Sequence, residues 1–165
     1  MPSLNFPETL FEESQNNSTK PIVEQKFNNH KSFVETFRPL AEKELINQGI
    51  DLSFSDKVIA HIALESNWGK RPSGKNNFAG LKGKGTAVRT HEYYNGVKQY
   101  ITDSFKDFNS LEDFTKYYIN RLKNKFKAFE SNNFVENIKK HNYFTAPLSK
   151  YGALFNMILK KVKQL

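Results

Sequence analysis

A mostly helical α+β domain with one small β-hairpin is the fold this sequence predicts, and three observations carry it. Apolar residues recur at spacings of three and four along several separate stretches. Two alternating stretches, 86–94 and 97–105, flank Asn95-Gly96, the dipeptide of a type I′ hairpin turn. The 165 residues, 38% hydrophobic and 14% aromatic, suffice for one compact core and are too aromatic for a disordered polymer.

Residues 1–30 are rich in Asn, Ser, Gln and Glu, with Pro2, Pro7 and Pro21, and read as a flexible polar arm. They have neither the basic start nor the apolar centre of a secretory signal. From His30 onward Phe33, Phe37, Leu40, Ala41, Glu44 and Leu45 share one helical face. Pro39 is expected to kink that helix or delay its start, and Gly49 to stop it. Ser53 or Ser55 is expected to cap a second helix with the stripe Val58, Ile59, Ile62 and Ala63, ending near Trp68-Gly69. The Gly-, Pro- and Asn-rich span 71–85 is a loop leading into the hairpin. After the hairpin, Ser110 to Asp113 resembles a capping box that opens a helix through Phe114, Tyr117, Tyr118 and Leu122. A short helix spans 134–140. The last helix carries Tyr151, Leu154, Phe155, Ile158, Leu159 and Val162 on one stripe, with Lys160, Lys161 and Lys163 at its negative dipole end.

Composition narrows the function. With no Cys, disulfide scaffolds, thiolate metal sites and Cys nucleophiles are excluded. His30, His61, His91 and His141 are scattered without ligand spacing, so no metal is expected. Mean hydropathy is −0.67, and no apolar run approaches the roughly 20 residues of a membrane span. The chain carries 25 Lys+Arg against 17 Asp+Glu, a formal +8. Residues 1–36 hold three lysines against five glutamates, so a −2 arm precedes a +10 body. The surplus points to a polyanionic partner without choosing among nucleic acid, anionic lipid and wall polymer. The basic run Lys116, Arg121, Lys123, Lys125 and Lys127 is interleaved with aromatics, which suits either a polyanion track or a solvated helix face.

The segment 63–69, Ala-Leu-Glu-Ser-Asn-Trp-Gly, holds the chemistry. Glu65 follows Ile62 by three residues and Val58 by seven, so it shares the face those residues bury. Desolvation there raises a carboxyl pKa, which is what a general acid for glycosidic cleavage requires. Trp68 offers an apolar wall or a surface on which a sugar ring could stack. Spacing alone leaves open a plainer role for Glu65, as a salt-bridging or loop-capping carboxylate.

Ala-Leu-Glu-Ser-Xaa-Trp-Gly followed by Asn76-Asn77-Phe78-Ala79-Gly80-Leu81-Lys82-Gly83 resembles the glucosaminidase family of peptidoglycan hydrolases, glycoside hydrolase family 73. The likeness continues in order through Thr90-His91-Glu92-Tyr93, Phe105-Lys106-Asp107-Phe108 and Tyr143 to Pro147, and covers residues 31–165. The resemblance implies a lysozyme-like helical domain whose small β-hairpin lobe flanks an active-site cleft. It implies an endo-β-N-acetylglucosaminidase that cleaves the β-1,4 bond after N-acetylglucosamine in the wall glycan. Glu65 stands at the position of the catalytic acid, and Glu92 at that of a second carboxylate that activates water or steadies the oxocarbenium-like state. Neighbouring 2-acetamido participation would replace that second role, and Glu92 could instead pair with Arg89 or Lys98 on the strands. Trp68, Asn77, Phe78, Tyr93 and Tyr143 are the candidate substrate-binding residues. Ala146 departs from the family's usual Asp, so the loop after Tyr143 is expected to be reshaped. No cofactor is implied.

The expected partner is the peptidoglycan glycan strand, bound by a monomer, with neither nucleic acid binding nor membrane insertion. Delivery by lysis, a phage particle or a specialised secretion system is expected, the last with an acidic immunity protein. A muramidase or lytic transglycosylase on the same fold, a non-catalytic wall-binding module and a nucleic-acid-binding domain are the alternatives.

Overall fold

The computed structural model describes residues 26–165; most of the expected N-terminal arm lies outside them. Helix α1 (His30–Asn47) begins at Asn29, whose side chain accepts from the Ser32 amide at 2.8 Å while Ser32 Oγ accepts from the Asn29 amide at 3.2 Å. This reciprocal cap satisfies two orphan amides. Pro39 neither delays the start nor ends the helix. Both Pro39 and Glu35, the residue whose carbonyl loses its intrahelical donor, are exposed, so the lost bond falls on the solvent side of the helix rather than in the core. The helix closes when the amides of Gly49 and Ile50 reach back to the carbonyls of Ile46 and Leu45, at 3.1 and 2.8 Å, a Schellman pattern with Ile50 buried behind it.

Neither Ser53 nor Ser55 caps the second helix. Asp51 caps a 3₁₀ turn (Leu52–Phe54) through the Ser53 amide at 2.8 Å, and α2 (Ser55–Ser66) continues directly from it. The Ser55 hydroxyl instead donates to Glu42 of α1 at 3.2 Å, and Arg38 pairs with Asp56 at 2.8 Å. Every residue from Val58 to Leu64 is at most 1% exposed, so α2 is enclosed on all sides rather than on one stripe.

Three consecutive residues end α2: Asn67, Trp68 and Gly69 have φ of 48, 57 and 81°. The helix therefore stops two residues short of the expected Trp68-Gly69. Ser66 secures this exit, its hydroxyl donating to the Ile62 carbonyl at 2.7 Å and accepting from the Gly69 amide at 2.9 Å.

Strands β1 (Gly85–Tyr94) and β2 (Val97–Lys106) pair antiparallel in register Gly85↔Lys106 through Tyr94↔Val97. Asn95 and Gly96, with φ of 51 and 77°, make the expected turn. The hairpin joins the body at its base. The Leu81 carbonyl accepts from the Lys106 amide at 2.8 Å, and Lys106 Nζ lies 4.3 Å from the Tyr117 ring centre.

Helix α3 (Leu111–Asn124) is capped by Ser110 Oγ accepting from the Asp113 amide at 3.0 Å. Helices α4 (Phe134–Lys140) and α5 (Leu148–Lys163) complete the chain as expected. Helix α2 packs between α1 and α5, α1 also meets α3, and α4 lies on α5. Phe27 adds its ring to Phe33, Phe37 and Phe78, so this one side chain of the expected arm packs against the core, while Lys26, Asn28 and Asn29 beside it are exposed. No helix of the described residues is long and apolar enough to cross a membrane.

Gly69 holds a left-handed φ directly beneath the Phe27 ring, which a Cβ would overlap. We expect Gly69→Ala to lower unfolding free energy by about 1–3 kcal/mol. In a Phe27→Ala background the same change should cost less, a coupling that a denaturant double-mutant cycle measures.

Candidate active site

Glu65 occupies the last turn of α2 with its side chain 10% exposed. Its Oε1 accepts from the Tyr151 hydroxyl of α5 at 2.8 Å. Tyr151 Oη in turn lies 2.8 Å from His61 Nε2, and His61 Nδ1 meets the Tyr118 hydroxyl of α3. One phenol has one proton, so the direction of each bond follows. Tyr151 gives its proton to Glu65 and must accept from His61, which places the ring hydrogen on Nε2. His61 Nδ1 is then an acceptor, filled by Tyr118. The row runs one way, from α3 through α2 to α5 and back to the carboxyl, and leaves Oε2 as the only place for an acid proton on Glu65.

The electrostatics agree. Burial pushes the Glu65 carboxyl up to about 8, against the opposing pull of the Tyr151 hydrogen bond. Burial pushes His61 down to about 3, so the ring is neutral. Burial and the Glu65 charge hold Tyr118, Tyr143 and Tyr151 well above the ordinary phenol range. The group is a neutral acid wired to neutral partners rather than an ion pair, although His61 Nε2 and Glu65 Oε1 are 3.5 Å apart.

Glu92 stands on β1 with its side chain 16% exposed. The Tyr94 hydroxyl, two residues along the same face, donates to Glu92 Oε2 at 2.8 Å. Lys82 reaches over from the preceding loop, 3.6 Å from Glu92 Oε1, and pairs also with Asp103 of β2. A cavity of about 220 Å³ has both Lys82 and Tyr143 in its lining. Neither Glu65 nor Glu92 is among its lining residues; each is one side chain away, Glu92 through Lys82 and Glu65 through His61, to which Tyr143 lies edge-on at 4.8 Å.

The other sequence-predicted residues lie elsewhere. Trp68 is 7% exposed and stacks on His30 at 3.8 Å. Asn77 is fully buried as a brace: its amide donates to the carbonyls of Leu81 and Lys106 at 2.8 and 2.9 Å, and its Oδ1 accepts from Ala79 and Leu81. Phe78 is core, edge-on to Phe37 and Phe114. Tyr93, 55% exposed, points from the hairpin face opposite Glu92. In the loop after Tyr143, Lys139 Nζ donates to the carbonyls of Phe144, Thr145 and Ala146 at 3.3, 3.2 and 2.9 Å. His61, Tyr118 and Tyr151 were not foreseen as partners of Glu65. Only His61, one turn before Glu65 on the same face, had a signal within reach of the local pattern.

The profile of a family described as Glucosaminidase, mannosyl-glycoprotein endo-beta-N-acetylglucosaminidase, matches residues 38–164. The chain belongs to this glucosaminidase family. It is similar to the peptidoglycan hydrolase FlgJ of Vibrio cholerae serotype O1, 26% identical over 147 residues that cover 78% of this chain and 43% of FlgJ. The chain thus spans less than half the length of that relative. A peptidoglycan hydrolase mutant from Sphingomonas sp. A1 shares the fold with a TM-score of 0.65 at 23% identity, covering 81% of this chain and 96% of that one. The catalytic domain of the autolysin Auto from Listeria monocytogenes superposes with a TM-score of 0.66 at 18% identity, covering 86% and 89%. The expected lysozyme-like helical domain with a hairpin lobe is therefore the fold observed, and the family makes the chain a glycoside hydrolase.

In this glucosaminidase the raised Glu65 pKa has a stability signature. Unfolded, the carboxyl ionises near 4.5; folded, near 8. The native state binds the extra proton between those values, so this group makes stability fall as pH rises from about 4.5 to 8. His61 acts oppositely: its unfolded value of 6.5 and folded value of about 3 make stability fall as pH drops below 6.5. Glu65→Gln keeps the acceptor for Tyr151 and removes the titration. We expect it to gain up to about 3 kcal/mol at pH 7 and nothing at pH 4, read from urea unfolding at both pH values.

Proposed function

We propose that this chain is a peptidoglycan hydrolase of the endo-β-N-acetylglucosaminidase type, with Glu65 as its general acid. The observation that carries the reading is a buried carboxyl kept protonated at neutral pH, with its Oε1 occupied by Tyr151 and its proton therefore available at Oε2. A glycosidic oxygen approaching Oε2 takes that proton as the bond to the sugar carbon breaks. The carboxylate left behind is stabilised by the same Tyr151 hydroxyl, whose bond strengthens as charge develops on its acceptor. Glu92, across the cavity and braced by Lys82 and Tyr94, is suited to steady the oxocarbenium-like sugar or to activate water. Participation by the 2-acetamido oxygen is the other way to complete the step. Tyr143 lines the same cavity and is suited to orient the acetamido group.

Action at the bacterial wall, by a monomer, completes the reading. Delivery by lysis, phage particle or secretion system belongs to it as well. Lys82, Arg121 and Lys125 around the cavity suit an acidic immunity protein in the last of these settings.

Glu65→Gln should lower release of soluble muropeptides from purified sacculi by about 10²–10⁴-fold. N-acetylglucosamine at the new reducing ends identifies the bond, whereas muramyl or anhydro-muramyl ends would assign a muramidase or transglycosylase. A Gln variant as active as the parent would end the proposal. Because the acid must be protonated, activity should fall through about pH 8 on the alkaline side. Tyr151→Phe removes the bond that lowers the Glu65 pKa, so its alkaline limb should move to higher pH. Its kcat should drop about 10–100-fold with KM little changed.

A further inference from the structure

The cavity lined by Tyr143 is unevenly charged. Its lining includes Lys82, Arg121, Lys125, Phe126 and Tyr143, and among the described residues it contains no carboxylate. Lys82 is already engaged by Glu92 and Asp103. Arg121 and Lys125 are four residues apart at the end of α3, a like-charge spacing that costs a helix stability. Both lie over the Phe126 ring, at 5.9 and 5.4 Å. Among the described residues neither is shown with a carboxylate; the Arg121 guanidinium donates to the Tyr117 hydroxyl at 3.5 Å. The α3 C-terminus favours cations in general, but a dipole alone does not explain two cations turned into one concavity next to the reacting group. Lys123, between them in sequence, turns away to the Gln48 carbonyl at 2.6 Å. The nearby Tyr143 hydroxyl is buried, and Tyr118 is the hydroxyl beside it.

A glycan of N-acetylglucosamine alone is neutral. A strand containing muramic acid carries a lactyl ether whose carboxyl is either free or extended by a peptide with carboxylates of its own. We propose that Arg121 and Lys125 form a carboxylate subsite at the edge of the cleft, which makes this domain select carboxyl-bearing glycan strands over neutral N-acetylglucosamine polymers. This rests on reading the chain as a peptidoglycan hydrolase. Arg121 supplies a planar fork that fits a carboxylate with two parallel bonds. Lys125, exposed at the mouth, supplies a longer-range attraction that salt screens.

The test compares the full-length parent with Arg121→Gln, Lys125→Gln and the double variant. Three substrates are used: peptide-bearing strands, peptide-stripped strands with free lactyl carboxyls, and a chito-oligosaccharide. KM on carboxyl-bearing strands should rise about tenfold in the double variant, with kcat unchanged and the salt dependence flattened. Turnover of the chito-oligosaccharide should not change. An effect retained on stripped strands assigns the lactyl carboxyl, and one confined to peptide-bearing strands assigns the peptide. Equal losses on all three substrates, or no loss on any, overturn the subsite. Arg121 also packs on Tyr117 and Phe126, so Lys125→Gln, at an exposed position, supplies the variant that leaves the fold intact. Failure of the hydrolase reading looks different, because the parent would then release nothing from sacculi. Calorimetric binding of both strand types by Glu65→Gln protein still reads the subsite in that event, and binding indifferent to the Arg121 and Lys125 substitutions would reject it.

Discussion

Glu65 projects from the end of a helix that is enclosed on every side, and keeping an un-ionised carboxyl there dictates what surrounds it. A buried acid is tolerated only if its polar atoms are satisfied. The partners must be neutral donors, since a buried cation would draw the proton off. Tyr151 meets that requirement from α5, and its own oxygen is satisfied by His61, whose second nitrogen is satisfied by Tyr118 of α3. Three helices are thus held in one register by three side-chain bonds. Helix α2 lacks a solvent face from Val58 to Leu64, which is how a histidine four residues before the acid comes to be inside at all.

Much of the fold was legible because its signals are local. The Asn95-Gly96 turn, the stripe of α5 and the bounds of α4 follow from neighbours within a few residues, and each stands where the pattern put it. Misread details were those in which two local options compete. Ser53 and Ser55 are both good capping residues, but Asp51 captures the Ser53 amide first and a 3₁₀ turn runs straight into α2. Pro39 reads as a kink or a late start, yet the helix begins nine residues before it and carries it on the exposed face. The motif at 63–69 also conceals its geometry. Three left-handed residues in succession are not an expectation of helix periodicity, and they turn Trp68 inward against His30.

The site was legible in its acid and not in the acid's wiring. Glu65 betrays itself by sharing an apolar face. Tyr151 and Tyr118 lie 86 and 53 residues away along the chain, read as ordinary stripe members of amphipathic helices, and nothing in a stripe marks the one phenol that points at a carboxyl. Asn77 shows the converse. Its place in a recognisable motif suggests substrate contact, whereas three of its four hydrogen bonds close the loop at 77–81 and the fourth ties that loop to the end of β2. That brace carries Lys82 to the position from which it reaches Glu92 and Asp103.

The loop after Tyr143 supports the acid at one remove. The sequence predicts a reshaped turn at Ala146, and the backbone carbonyls of that turn need donors, because Phe144 and Ala146 are buried. Lys139, on the last turn of α4, provides them from one ammonium, and Phe144 stacks on Tyr151 at 3.7 Å. The stack fixes the ring whose hydroxyl holds Glu65. The loop thus supports, through Phe144, the tyrosine that hydrogen-bonds the acid. The buried row from Tyr118 to Glu65 therefore rests on this loop as well as on the three helices that supply its side chains.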